Sequence, residues 1–169
     1  MFFVLRPFRF LAQALTDQNT PRQIALGFAM GLVVGLVPKD NLIAVVLMSV
    51  LCATKVNLGA GMLAAIVFSW VGMLTDPLTH RIGLSLLTAE TLKPTWTALY
   101  DLPLMPWIGF NNTVVLGSLL LGLTLLYPAL RLSEPVIARY KPQVEKRLKN
   151  YKIAHLLWGT EWAGKLGTQ

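Results

Sequence analysis

IALGFAMGLVVGLV (residues 24–37), PKDN (38–41) and LIAVVLMSVLCAT (42–54) run on without interruption: two apolar arms free of charge, joined by a charged, helix-breaking tetrapeptide. At 1.5 Å rise per residue each arm is about 20 Å long as a helix, whereas a hydrocarbon core of about 30 Å needs about 20 residues. Neither arm spans comfortably alone. The join places Pro38, Lys39, Asp40 and Asn41 inside or near the membrane, where ionisable side chains are costly and mark function by default.

The composition agrees with a membrane location. Of 169 residues, 54% are apolar and only 14% charged, against about 25% charged in an ordinary soluble domain. This reads as one small integral membrane domain. The net charge of +7 is uneven: residues 1–22 carry +2, residues 23–130 carry 0 and residues 131–169 carry +5. Basic ends flanking a neutral middle fit the positive-inside rule and attraction to anionic phospholipid headgroups. No stacking platform or nucleic-acid motif accompanies the charge, so nucleic acid is not an expected partner. Cys52 is the single cysteine and lies in an apolar arm, which excludes a disulfide within the chain and a cysteine metal cluster. Met1–Leu5 is cut short by Arg6, Pro7 and Arg9, so a signal peptide is not expected.

Working outward, residues 1–20 predict an interfacial amphipathic segment, with Phe2, Phe3, Leu5, Phe8, Leu11 and Leu15 around Arg6 and Arg9. Asn19-Thr20-Pro21 is a helix start: a capping side chain, then a proline whose missing N–H costs nothing there. The membrane domain is expected over 21–130, as a hairpin (22–55), a span (58–74) closed by the breaker Asp76-Pro77, an external segment (75–110) and a span (112–130). Gly27, Gly31 and Gly35 recur every four residues near one helix face, which permits close approach of a neighbouring backbone. Arg81 to Glu90 suits a short separate helix. Trp96, Tyr100 and Trp107 suit an interface. Trp107 and Tyr127 would stand about 30 Å apart on one helix, as anchors at both surfaces. Residues 131–169 predict a basic cytoplasmic tail, with Val144, Leu148, Tyr151 and His155 as one helical stripe. The fold class is an all-α membrane protein: a short hairpin, spanning or re-entrant, two transmembrane helices, an interfacial N-terminal helix and a basic amphipathic C-terminal helix.

Charge fixes the parity of crossings. With both termini basic and hence cytoplasmic, the number of crossings is even. One kinked span over 24–54 would export the basic tail, whereas a hairpin returns the chain at Lys55. The tip Pro38–Asn41 then points outward, at the same end as Asp76, His80 and Arg81. Lys39, Asp40, Asn41, Asp76, His80 and Arg81 form the candidate polar cluster for lipid or partner binding, with Pro38 and Pro77 as helix breaks and Lys39 and Asp40 available to pair with each other. A neutralised cluster that merely seats the hairpin is the competing reading.

No catalytic constellation emerges. His80 and His155 fall on opposite sides of the membrane in this topology, so no metal site is expected, and no cofactor. Phosphate-loop, H-E-x-x-H and G-x-S-x-G patterns are absent from the sequence. Asp40 and Asp76 each have a cation near in sequence, which favours ion pairs over paired catalytic carboxylates.

Pro21, Ala25-x-Gly27-x-Ala29-x-Gly31, Pro38, Asn57 and Asp76-Pro77-Leu78-Thr79 together resemble a family of small bacterial membrane proteins of unknown function. Members commonly have Asn before Pro-Leu-Thr; Asp76 here adds a negative charge. Val37 to Leu42 and Pro106 to Gly117, including Phe110-Asn111-Asn112-Thr113, resemble a narrower subfamily, and the likeness covers about residues 20–130. The resemblance implies a multi-pass protein of the bacterial inner membrane, not an enzyme, usually encoded beside a much larger uncharacterised envelope protein. The expected function is therefore an inner-membrane anchoring subunit that docks a large periplasmic partner, in lipid transport or loading. The alternative is a small ion or solute transporter, as a homo-oligomer, since broken helices with charges near the midplane mark such proteins.

Overall fold

The computed structural model describes residues 19–150, with side chains through residue 143. Residues 1–18 of the expected interfacial segment, Tyr151 and His155 of the apolar stripe, and the end of the basic tail lie outside the described residues. Within them the chain is all-helical: α1 (Pro21–Leu36), α2 (Leu42–Ala53), α3 (Leu58–Leu87), a 3-10 turn (Glu90–Leu92), α4 (Lys93–Tyr100), α5 (Met105–Ile108) and α6 (Thr113–Asn150).

Short polar side chains start α1, α2, α3 and α6. Thr20 Oγ1 accepts from the Gln23 N–H (3.2 Å) while Gln23 Oε1 accepts from the Thr20 N–H (2.8 Å), a reciprocal capping box ahead of Pro21. Asn41 caps α2 through the Ala44 N–H (3.0 Å), and Asn57 caps α3 through the Ala60 N–H (2.8 Å). Asn112 does the same for α6 through the Val114 N–H (2.9 Å). Each cap satisfies a donor that water would otherwise have to reach.

α1 is the centre of the molecule, packed along both α3 and α6. Its glycine face meets α3 backbone to backbone. A Cβ at Gly27 would collide with the Asn57 carbonyl, and one at Gly31 with the Gly61 carbonyl. At Gly35 it would stand 2.6 Å from Phe68 Cβ and 2.8 Å from the Ala65 carbonyl. Gly61 and Gly72 return the contact from α3, against the Gly27 carbonyl and the Leu36 backbone, and Gly61 also makes room for Leu51 of α2. Small residues that let backbones approach this closely are the packing device of helices associating in lipid, where burial of apolar surface gains little. The Asn57 N–H donates to the Gln23 carbonyl (3.1 Å), which brings the chain back beside the start of α1 after α2. α1 and α3 thus rise in parallel, and α6 descends antiparallel to both, with Val115 packed on Val37 near the tip and Lys141 Nζ donating to the Asn19 carbonyl (2.6 Å) at the base.

α2 packs more loosely. It seats Ile43, Ala44 and Leu51 and leaves Val45, Val46 and Val50 exposed.

Two helices, α3 and α6, are long and apolar enough to cross a membrane. Their apolar windows are only 22% and 28% buried, unlike core helices of a soluble protein. Trp70, Met73 and Leu74 on α3 are among the most exposed side chains, at 71%, 69% and 82%.

Two expected boundaries are corrected. Asp76-Pro77 does not end the helix, and Pro77 is not a break: α3 runs through it to Leu87, so Arg81 belongs to the same helix rather than to a separate one. A proline inside a helix costs about 3 kcal/mol, but the segment beyond it is held by α6. Cβ atoms at Gly83 and Gly117 would strike the carbonyls of Thr113 and Thr79 across that contact. Nor does the second long helix stop at residue 130: α6 continues to Asn150 through Pro128, Pro135 and Pro142. Their sevenfold spacing puts all three on one face, and all three are exposed, where lost backbone bonds disturb no packing. Trp107 lies in α5, not on the helix of Tyr127, so the two are not anchors along a single rod.

Gly31→Ala should lower the thermal stability of the detergent-solubilised protein by about 1–3 kcal/mol, the cost of overpacking, whereas Val46→Ala on the exposed face of α2 should stay within about 0.5 kcal/mol. Asn57→Ala should cost about 1 kcal/mol through its lost cap. Paired melting curves measure all three.

Candidate functional site

The break after α1 is built by its own polar residues. Val37 and Pro38 leave the helix, and the last carbonyls of α1 face the turn. Lys39 folds back over them: its ammonium donates to the carbonyls of Val34 (2.5 Å), Gly35 (3.0 Å) and Val37 (2.5 Å). A lysine cation on the C-terminal carbonyls satisfies orphan acceptors and opposes the negative end of the helix dipole. Asn41 Nδ2 donates to the Pro38 carbonyl (2.8 Å) while its Oδ1 caps α2, so one side chain closes the turn from both sides.

The expected cluster is therefore divided. Among the described residues no ion pair within 4 Å involves Lys39, Asp40, Asp76 or Arg81; the pair found is Lys93–Glu90, exposed and away from the break. The expected Lys39–Asp40 pair does not form, because the ammonium is committed to backbone oxygens. Asp40 and Arg81 are exposed. His80 Nδ1 shares a 2.6 Å hydrogen bond with Thr113 Oγ1, which ties α3 to the start of α6. Lys39 and Asp76 do come together, in the walls of one cavity of about 260 Å³ between the end of α1 and the middle of α3, with Gly35, Ser69, Gly72 and Met73. Asp76 is half-buried there. Pro38 also lines this cavity, and Gly27, Gly31 and Gly35 are the packing face already described.

Two further places were not singled out by the sequence. Beyond the tip, a cavity of about 300 Å³ is lined by Trp96, Tyr100, Met105 and Phe110, and Trp96 Nε1 donates to the Leu86 carbonyl (3.0 Å). These aromatics were legible as interfacial; that they enclose a space depends on the chain folding back over α3. At the base, Arg22, Arg131 and Glu134 line a broader hollow of about 530 Å³ beside Thr20 and Pro21. Arg22 and Arg131 stand 109 positions apart in the sequence, so only the antiparallel course of α6 brings them together. No group of three or more His, Cys, Asp or Glu able to hold a metal occurs among the described residues.

The chain is 24% identical over 147 residues to an uncharacterized protein of Treponema pallidum (strain Nichols), covering 87% of this chain and 91% of that protein. No family model matches the chain. No solved structure matches it.

Lys39→Met should lower stability by about 0.5–2 kcal/mol, the scale of a lost helix cap, while charge reversal by Asp40→Lys should leave it nearly unchanged. Protein abundance in membranes together with melting temperature checks both.

Proposed function

We propose that the chain is an anchoring subunit of the bacterial inner membrane, one that docks a large periplasmic envelope protein and serves lipid transport or loading. The carrying observation is the pair of membrane-length helices, α3 and α6, whose apolar side chains are mostly exposed while their small residues grip α1. In water that exposed surface would be an aggregation hazard; in lipid it is matched to its solvent.

Orientation follows from charge. The base carries Arg22, Arg131 and Lys141, and positive ends stay in the cytoplasm. The break at Pro38–Asn41 then faces outward, and both termini are cytoplasmic. α1 with its turn reaches about 24–27 Å, close to the thickness of the hydrocarbon core, which favours a nearly full-depth hairpin over a shallow re-entrant one. The outer segment 88–112 carries the docking surface in this reading. Leu104 is its most unusual residue: 66% exposed, with a left-handed φ of 74°. Trp107 beside it is 76% exposed. Strained, exposed apolar residues of this kind persist where they serve a contact. The closely packed centre of α1, α3 and α6 favours an anchor over a conduit, and no step of bond-making chemistry is assigned, so the chain is read as a non-enzyme.

Co-purification from native membranes tests the reading. The chain should be recovered with a large envelope protein and phospholipid, and Leu104→Asp with Trp107→Ser should reduce partner recovery several-fold at unchanged abundance. Recovery of the wild-type chain with neither companion would contradict it. Ion or solute flux from liposomes holding the purified chain alone, abolished by Asp40→Asn, would instead establish the transporter alternative.

A further inference from the structure

The cavity at the tip contains two opposite charges, but they are not equally available. An ammonium has three N–H donors. Lys39 spends all three on the carbonyls of Val34, Gly35 and Val37. It therefore offers charge to the cavity but no hydrogen bond, and a phosphate entering the site would find no donor there from Lys39. Ser69 in the same wall gives its hydroxyl proton to the Ala65 carbonyl (2.7 Å), which leaves its oxygen as an acceptor. Asp76 is half-buried with no ion pair among the described residues. Pro77 adds to this: lacking an N–H, it cannot supply the regular helical bond to the Met73 carbonyl, and Met73 lines the same cavity. The side-chain polar groups left over are acceptors.

We propose that this cavity binds a primary ammonium group, held by the Asp76 carboxylate. The inference rests on the membrane placement proposed above and not on the periplasmic partner. A divalent metal fits poorly, since hard cations take about six or more oxygen ligands and the wall supplies one carboxylate and few other free oxygens. The space of about 260 Å³ exceeds a bare ion and suits an aminoalcohol headgroup. Charge balance points the same way. Lys39 and Asp76 cancel formally, so a zwitterionic headgroup with its ammonium on Asp76 is accommodated, whereas an anionic headgroup would set its phosphate against a carboxylate with no free side-chain donor to receive it. The ammonium can come from an ethanolamine lipid or from a soluble amine.

The test uses the full-length purified chain in nanodiscs with equal amounts of phosphatidylethanolamine, phosphatidylcholine and phosphatidylglycerol, with native mass spectrometry of the lipid retained. Phosphatidylethanolamine should be enriched over phosphatidylglycerol by about tenfold, the scale of one charge-assisted hydrogen bond. It should also exceed phosphatidylcholine, whose quaternary ammonium has no N–H. Asp76→Asn should bring the lipids to parity, while Lys39→Met should lower stability and keep the selectivity. Binding of free ethanolammonium without lipid enrichment, also lost in Asp76→Asn, would assign the same site to a soluble amine. Equal or preferred retention of phosphatidylglycerol by the wild type, with no ethanolammonium binding, would overturn the proposal, as would selectivity indifferent to Asp76→Asn. Because no partner protein is present, the outcome is separate from that of the co-purification.

Discussion

The structure depends on how closely the backbone of α1 approaches the backbone of α3. Three glycines one turn apart let carbonyls of α3 occupy the volume that Cβ atoms would take. In the lipid setting proposed, as apolar as the side chains themselves, such contact is the main source of specificity between helices. It sets the height of α1 against α3, and so puts Gly72 and Asp76 level with the end of α1. A larger residue at Gly31 or Gly35 would separate the helices, and the cavity at the tip would lose its far wall.

The same approach explains why the polar break is tolerated. In the membrane setting proposed, an abrupt helix end would expose carbonyls that lipid cannot satisfy. Lys39 covers them with its ammonium, and Asn41 closes the turn and starts the next helix. The tetrapeptide thus performs the local work of stopping one helix and starting another. Of the charges near it, Asp76 is the one that lines a cavity without such employment.

Much of the scaffold could be read from residues. Thr20-Pro21 marked a helix start, Gly27, Gly31 and Gly35 marked a contact face, and two apolar stretches marked the long helices. The misreadings share a cause. Pro77 was read as a terminator because proline lacks a donor and clashes locally, yet the close contacts of Gly83 with Thr113 and of Thr79 with Gly117 on α6, remote in sequence, keep the helix going. Lys39 was read as available to Asp40 or to the charged groups at the same end, while its true acceptors are carbonyls two to five positions back. Local sequence gives the type of a polar group; which partner it reaches depends on where the helix ends. The aromatic cavity and the basal arginine hollow had no sequence signal, since each is assembled by chain segments distant along the sequence.

Everything proposed about the tip requires it to lie on the outer side of the membrane and the basic end on the inner side. In a Cys52→Ser background, single cysteines at Asp40→Cys and Gln143→Cys can be challenged in intact spheroplasts with a membrane-impermeant thiol reagent. The account predicts that Asp40→Cys reacts at once and Gln143→Cys reacts only after the membrane is permeabilised. Protection of Asp40→Cys with immediate labelling of Gln143→Cys, or labelling of both from the same side, would contradict it.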